Sequence, residues 1–218
     1  MRAVNPSETD VFWEPEGNAK AEVKIKRSLF IGQLFLCKSA ADARLSLAKA
    51  ELEHKGANHN CWAYCLDSEN LNPGITHFSD DGEPAGTAGK PILAAIRQSG
   101  MVNIMVVVTR HFGGIKLGVR GLIDAYGQAA ADVITKTSRV QRTRSRHLTL
   151  SFPYDAAGDV TRLLDIFGSA PLAWRYTADA QGAEVEADFR VSTVPHAEAA
   201  LDELLVKKRI HSWSWLPP

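Results

Sequence analysis

The chain has 218 residues, 45% of them apolar and 23% charged, with Lys+Arg and Asp+Glu balanced at 25 each. That composition belongs to a soluble globular protein with room for two ordinary domains, and its balanced charge offers no bulk attraction for nucleic acid or anionic lipid. Three cysteines (Cys37, Cys61, Cys65) make no disulfide framework, the longest apolar run (Ile104–Val108) is far short of a membrane span, and the first residues lack a signal-peptide core. A reduced, cytoplasmic protein without membrane contact is expected.

Residues 1–19, with early acids and two prolines, read as extended. Val23 and Ile25 alternate with lysines as one strand, and Leu29–Cys37 reads as a second. Ser39 and Asp42 make a capping-box-like helix start. Leu45, Ala48 and Leu52 supply that helix with an apolar stripe, and Gly56 suits the position past its end. Asn58–Leu66 reads as a third strand with Cys61, Ala63 and Cys65 on one face, and Asp67–Gly74 is turn chemistry.

Nine glycines then fall between Gly74 and Gly121. They mark two loops, Ser79–Pro91 (SDDGEPAGTAGKP) and Thr109–Leu122 (TRHFGGIKLGVRGL), around a short helix and an apolar strand. Pro91 suits the first helical position and Gly100 closes that helix. Ile104–Thr109 is a β-branched run typical of a strand covered on both faces. A helix follows from near Arg120 to about Lys136, giving the order ββαβ–loop–αβ–loop–α. The segment Thr135–Arg146 is basic and free of acids, and reads as a helix end running into a linker.

Beyond it the pattern resets. His147–Tyr154 reads as a strand, Asp155 or Asp159 starts a helix carrying Val160, Leu163, Leu164 and Phe167, and Gly168 ends it. Leu172–Ala178 and Ala183–Val191 form a strand pair joined through Asp179–Gly182. Pro195 opens a helix, and Arg209–Trp215 is a last strand with Ile210, Ser212 and Ser214 on one face. The order β-α-β-β-α-β is the split βαβ arrangement of ferredoxin-like domains. The chain therefore reads as α+β in two domains. From Leu148 onward 10 acids stand against 6 bases, compared with 15 against 19 before it, so the glycine-rich half is the basic half.

The first loop is not a nucleotide P-loop, because Pro84 stands where the leading glycine belongs and Pro91 follows Lys90. It does deliver the chain to a helix start near Pro91. There Gly86, Thr87 and Lys90 frame either a small external anion or an internally satisfied cap, by Thr87 or a nearby carboxylate. Ser79 has no obvious sequence-level base. Asp80, Asp81 and Glu83 crowd three carboxylates into four residues; they suit a hard cation, acid–base work, or pairing with Arg110, Lys116 or Arg120. The second loop offers Arg110, His111 and Lys116 as cationic or titrating groups, with Gly113 and Gly114 allowing close backbone approach to phosphate or an acidic protein face. No nucleophile elbow and no complete zinc pattern occur, so neither a catalytic residue nor a metal or other cofactor is assigned. In the basic linker, Arg139, Arg142, Arg144 and Arg146 are the candidates for RNA contact.

SDDGEPAGTAGKPIL (Ser79–Leu93), TRHFGGIKLG (Thr109–Gly118) and NHNCWAY (Asn58–Tyr64), in that family's order along the chain, resemble the IMPACT family and its bacterial YigZ-type branch. The resemblance is strong over about residues 20–136 and extends to the tail. It implies a first domain over 1–138, with an extended N-terminus at 1–19, like domain 2 of ribosomal protein S5. After a linker at 139–146, it implies a ferredoxin-like second domain at 147–218 like the last domain of elongation factor G. Eukaryotic members regulate translation by restraining a starvation-activated kinase through its activator protein. The chain departs from the family pattern at Val119-Arg120 and Asp124. The resulting expectation is a non-catalytic, translation-associated regulatory or binding protein. It would contact RNA, the ribosome or a translation-regulating partner through Ser79, Asp80, Asp81, Glu83, Gly86, Thr87, Lys90, Arg110, His111, Gly113, Gly114 and Lys116. The alternative is an enzyme acting on a small phosphorylated or anionic substrate at the same loops.

Overall fold

A computed structural model describes residues 10–68, 74–167, 169, 171–176 and 182–216. Its mixed α/β content divides into two compact units. One is Trp13–Arg142; the other joins the segment ending at Phe12 to the segment beginning at Thr143.

The chain passes into the Trp13–Arg142 unit along β1 (Val11–Pro15). β2 (Ala19–Ile25) and β3 (Ser28–Leu36) follow as a hairpin whose two turn residues, Lys26 and Arg27, both have positive φ, the requirement of a type I′ turn. Then come α1 (Ala40–Glu53), β4 (His59–Leu66), β5 (Ile75–Ser79), α2 (Gly89–Ser99), β6 (Ile104–His111) and α3 (Gly118–Ile134). β7 (Arg139–Thr143) pairs with β1 as a two-stranded sheet. The main sheet runs β2-β3-β6-β4-β5, with every neighbouring pair antiparallel.

β6 lies at the centre and all but its last residue are buried, which suits the apolar run Ile104–Val108 that makes up most of it. α2 and α3 cover one face. There Phe30 meets Tyr126 edge-on at 5.2 Å, and Gly32 lets α3 approach so closely that a Cβ would lie 2.8 Å from the Ala129 carbonyl oxygen. α1 covers the other face, where Phe35, Met105 and Val107 pack with Ala43 and Ala50.

Several expectations meet corrections. The α1 capping box forms as expected, with Ser39 and Asp42 exchanging bonds. Its buried stripe, however, is Ala43 and Ala50 with Leu47 half-buried, while Leu45 and Leu52 are 71% and 65% exposed. The residues that face the sheet are thus mainly small ones. The helix reaches its C-cap at His54, before Gly56. β1 and β5 occur where no strand was expected. Pro91 is the third residue of α2, within the first turn, where its missing N–H breaks no helical bond. The turn expected at Asp67–Gly74 lies mostly outside the described residues. Residues 139–146, expected as a linker, carry β7 and the start of the next strand.

In the other unit β8 (Ser145–Pro153), α4 (Ala157–Phe167), β9 (Pro171–Tyr176), β10 (Gly182–Arg190), α5 (Val194–Val206) and β11 (Ser212–Trp215) follow in order. The strands form an antiparallel sheet in the order β11-β8-β10-β9. Leu148, Leu150 and Phe152 share a core with Val185, Ala187 and Phe189 and with Val160, Leu164 and Leu201 of the helices. Asp10, fully buried, accepts from the backbone N–H and hydroxyl of Ser192. β11 turns Trp213 and Trp215 toward the core and leaves Ser212 and Ser214 exposed, while buried Ile210 precedes the strand. Of the three residues expected on one face, the two serines lie on the outer side and Ile210 is buried ahead of the strand; the tryptophans face the core because they bury far more area than serines. Gly168 and most of the Asp179–Gly182 turn lie outside the described residues.

Candidate functional site

The first glycine loop leaves β5 at Ser79 and enters α2, and each of its acids has an internal role. Asp80 receives the start of α2. Its Oδ1 accepts from the backbone N–H groups of Ala88 (3.0 Å) and Gly89 (2.8 Å), and its Oδ2 from Gly86 (2.8 Å). Burial alone would raise its pKa, but the three N–H donors outweigh it and hold the carboxyl below its ordinary value. The helix start near Pro91 is thus occupied by a side chain of the protein itself. Thr87 points back, donating to the Pro84 carbonyl at 2.7 Å.

Asp81 has positive φ and turns its Oδ2 onto the backbone N–H of Asn60 at 2.6 Å, while Ser79 Oγ accepts from the Asp81 N–H. His59 Nδ1 lies 2.7 Å from the Asp81 carbonyl oxygen. Glu83 points inward. Its Oε1 pairs with Arg110 Nη1 at 2.5 Å and accepts from Tyr126 Oη at 2.8 Å, with His59 Nε2 3.9 Å away. Cys61 Sγ donates to the Asp80 carbonyl oxygen, and burial pushes this thiol up to about 12. Tyr126 is also shifted upward, by burial first.

The two loops therefore meet, through a buried ion pair. Arg110, at the end of β6, is 6% exposed, packs against the rings of Phe30 and Phe112, and leaves its Nε without a hydrogen-bond partner. Its neighbour His111 falls on the opposite face of the strand, against His54 (6.0 Å between ring centroids), and takes no part in the Glu83 cluster. Gly113 is required by proximity: a Cβ there would lie 2.1 Å from the Arg27 backbone, and its N–H donates to Ser28 Oγ. Gly114 is required by conformation, with φ of +86°. Gly86 likewise has positive φ and lies under the Lys90 side chain.

Asn58, just ahead of β4, and Asn60 within it, residues of NHNCWAY to which spacing assigned no site role, fasten the loops. Asn58 Oδ1 accepts from the Phe112 N–H and Asn60 Oδ1 from the Thr109 hydroxyl. Tyr126 was legible only as a helix residue. What the second loop leaves outside is Phe112, Ile115, Lys116, Val119 and Arg120. Among the described residues no group of three or more His, Cys, Asp or Glu is placed to share a metal ion.

The four linker arginines are engaged locally. Arg139 stacks on Trp13 and Arg142 pairs with buried Glu14, while Arg144 lies over Phe12 and Arg146 over Trp215.

The Impact N-terminal domain matches residues 26–134, half of the chain, with both glycine loops and the Glu83–Arg110–Tyr126 cluster inside the match. The chain belongs to the IMPACT family. An IMPACT family member of Haemophilus influenzae is 44% identical over 134 residues, 59% of this chain and 64% of the relative. The Escherichia coli IMPACT family member YigZ is 37% identical over 145 residues, 65% of this chain and 69% of its own. The alignment thus spans a little under two thirds of the Haemophilus relative. A crystal structure described as that of a hypothetical protein matches 96% of this chain and 98% of its own, with a TM-score of 0.62 at 29% identity. No helix among the described residues is long and apolar enough to cross a membrane.

Proposed function

We propose that this IMPACT family chain is a non-catalytic, translation-associated regulatory protein of the cytoplasm, contacting RNA or a ribosome-bound partner through the rim of its second glycine loop. One observation carries the reading. The acids of the first loop are spent on bonds within the protein, whereas the second loop presents Lys116, and Arg120 in an exposed pair with Asp124, beside exposed Phe112, Ile115 and Val119. Cations among apolar and aromatic side chains suit a nucleic-acid or ribosomal surface, where phosphate contacts position and stacking adds affinity. An enzyme at the same loops would need an acid or base free to meet a substrate, and Asp80, Asp81 and Glu83 each already hold a partner.

The units fit this reading by analogy of fold. We assign the first to the class of ribosomal protein S5 domain 2. The second has the β-α-β-β-α-β order with strands arranged 4-1-3-2, the split βαβ layout that the last domain of elongation factor G would share. Sedimentation with purified ribosomes through a sucrose cushion tests the proposal. The protein should pellet with ribosomes at low salt, and Lys116→Glu with Arg120→Glu should leave it in the supernatant. Failure of the unsubstituted protein to pellet at any salt concentration rejects ribosome association.

A further inference from the structure

The main sheet has two outer strands, and only one is defended. β2 places Lys20, Glu22 and Lys24 at its exposed positions, the charge by which proteins discourage pairing at an open edge. β5, with the sequence ITHFS, carries no Lys, Asp, Glu or Pro, and exposes Ile75 (44%) and Phe78 (40%). Beside it, between β5 and α2, opens a groove of about 410 Å³ lined by Thr76, His77, Phe78, Lys90, Leu93 and Arg97. Among the described residues no carboxylate lines it. Lys90 and Arg97 stand seven residues apart on α2, about 10.5 Å along the helix axis. Arg97 makes only a long bond to the Thr76 hydroxyl (3.4 Å), and neither cation enters an ion pair among the described residues. Asp80, whose carboxyl Lys90 helps to hold below its ordinary pKa, is already filled by three backbone N–H groups.

The strand register says which side chains an added strand would meet. Thr76 and Phe78 lie opposite Cys65 and Ala63, on the face toward α2, and Ile75 and His77 lie opposite Leu66 and Tyr64, on the other face. Residues of an added strand alternate between these faces. One set would reach Lys90 and Arg97, and the other would cover Ile75 and the ring of His77.

We propose that β5 and this groove receive an extended segment of a partner protein, alternating acidic and apolar residues, which joins the sheet as a sixth strand. Main-chain bonds to β5 supply the affinity common to strand addition, and the two cations select for acids. This surface is separate from the second-loop rim, and the inference stands whether or not RNA binds there.

Fluorescence anisotropy with a fluorescein-labelled hexapeptide of alternating Glu and Val tests it on the full chain. Saturable binding at 50 mM salt is expected, weakened at least tenfold by Lys90→Ala with Arg97→Ala and unchanged by Lys116→Glu. Methylating every second backbone nitrogen of the peptide, in one of the two phases, should also cost at least tenfold, because it removes strand bonds and leaves the charge. Both cations are exposed, so the variants should melt with the unsubstituted protein by circular dichroism. The proposal fails if no saturable binding is seen. It fails equally if both methylated peptides bind as well as the parent, the mark of bare anion attraction, or if the double substitution leaves binding intact.

Discussion

Asp80 and Glu83 sit three residues apart and stabilise the loop in different ways. Asp80 acts as a cap supplied from outside its helix, meeting N–H groups that α2 cannot satisfy itself. Asp80→Ala should cost about 1–2 kcal/mol, the range for loss of a helix cap, measured by urea denaturation at pH 7. The pH dependence follows from the direction of its shift. A carboxyl held below its ordinary pKa when folded contributes stability above the unfolded value, near 4, and loses it as pH falls through the folded value. Asp80→Asn should therefore show a smaller loss of stability between pH 5 and pH 2 than the unsubstituted protein. Glu83 is a buried partner. Removing Arg110 would leave its charge unpaired, so Arg110→Ala should cost about 3–5 kcal/mol. Tyr126→Phe, which deletes one bond to the same carboxylate, should cost only about 1–3 kcal/mol. A result in which Arg110→Ala is as mild as Tyr126→Phe would remove the ion pair from the account.

At the scale of elements, α1 is the instructive case. Leu45 and Leu52 look like a core stripe on composition, but Ala43 and Ala50 are the residues against the sheet. Leu45→Lys and Leu52→Lys should each change stability by under about 0.5 kcal/mol, whereas Ala50→Leu should cost about 1–3 kcal/mol by overpacking. Thermal melting of the three variants decides between the two stripes. Periodicity cannot tell a leucine stripe from an alanine stripe when a helix packs close, and that is where the sequence reading failed. It succeeded where one residue type has one physical use. The Ser39–Asp42 box, the β-branched run of β6 and the Gly100 C-cap were all visible. Strand β5 was hidden because its five residues, ITHFS, are too few and too mixed to show a period. At the candidate site, the meeting of the two loops was legible from their strand–loop–helix contexts. Which acid would meet Arg110 was not, since the turn geometry that aims Asp80, Asp81 and Glu83 is not written in their spacing.

For the whole molecule, net charge is zero, so any attraction for RNA must arise locally. Under the proposed function, the exposed cations of the second loop and the bases that exceed acids before Leu148 would be the local source. The basic segment at 139–146 would contribute less than its charge suggests, because Arg139 and Arg142 are held by Trp13 and Glu14. Substituting these two arginines should weaken RNA binding less than substituting Lys116. The most direct measurement is nitrocellulose filter binding of a single-stranded RNA 20-mer by the full chain from 25 to 300 mM salt. Affinity should fall linearly on a log–log plot against salt, with Lys116→Ala weakening binding and lowering the slope by about 0.7, one phosphate contact on a single strand. Absence of retained RNA at 25 mM salt, or a slope unchanged by Lys116→Ala, would contradict it.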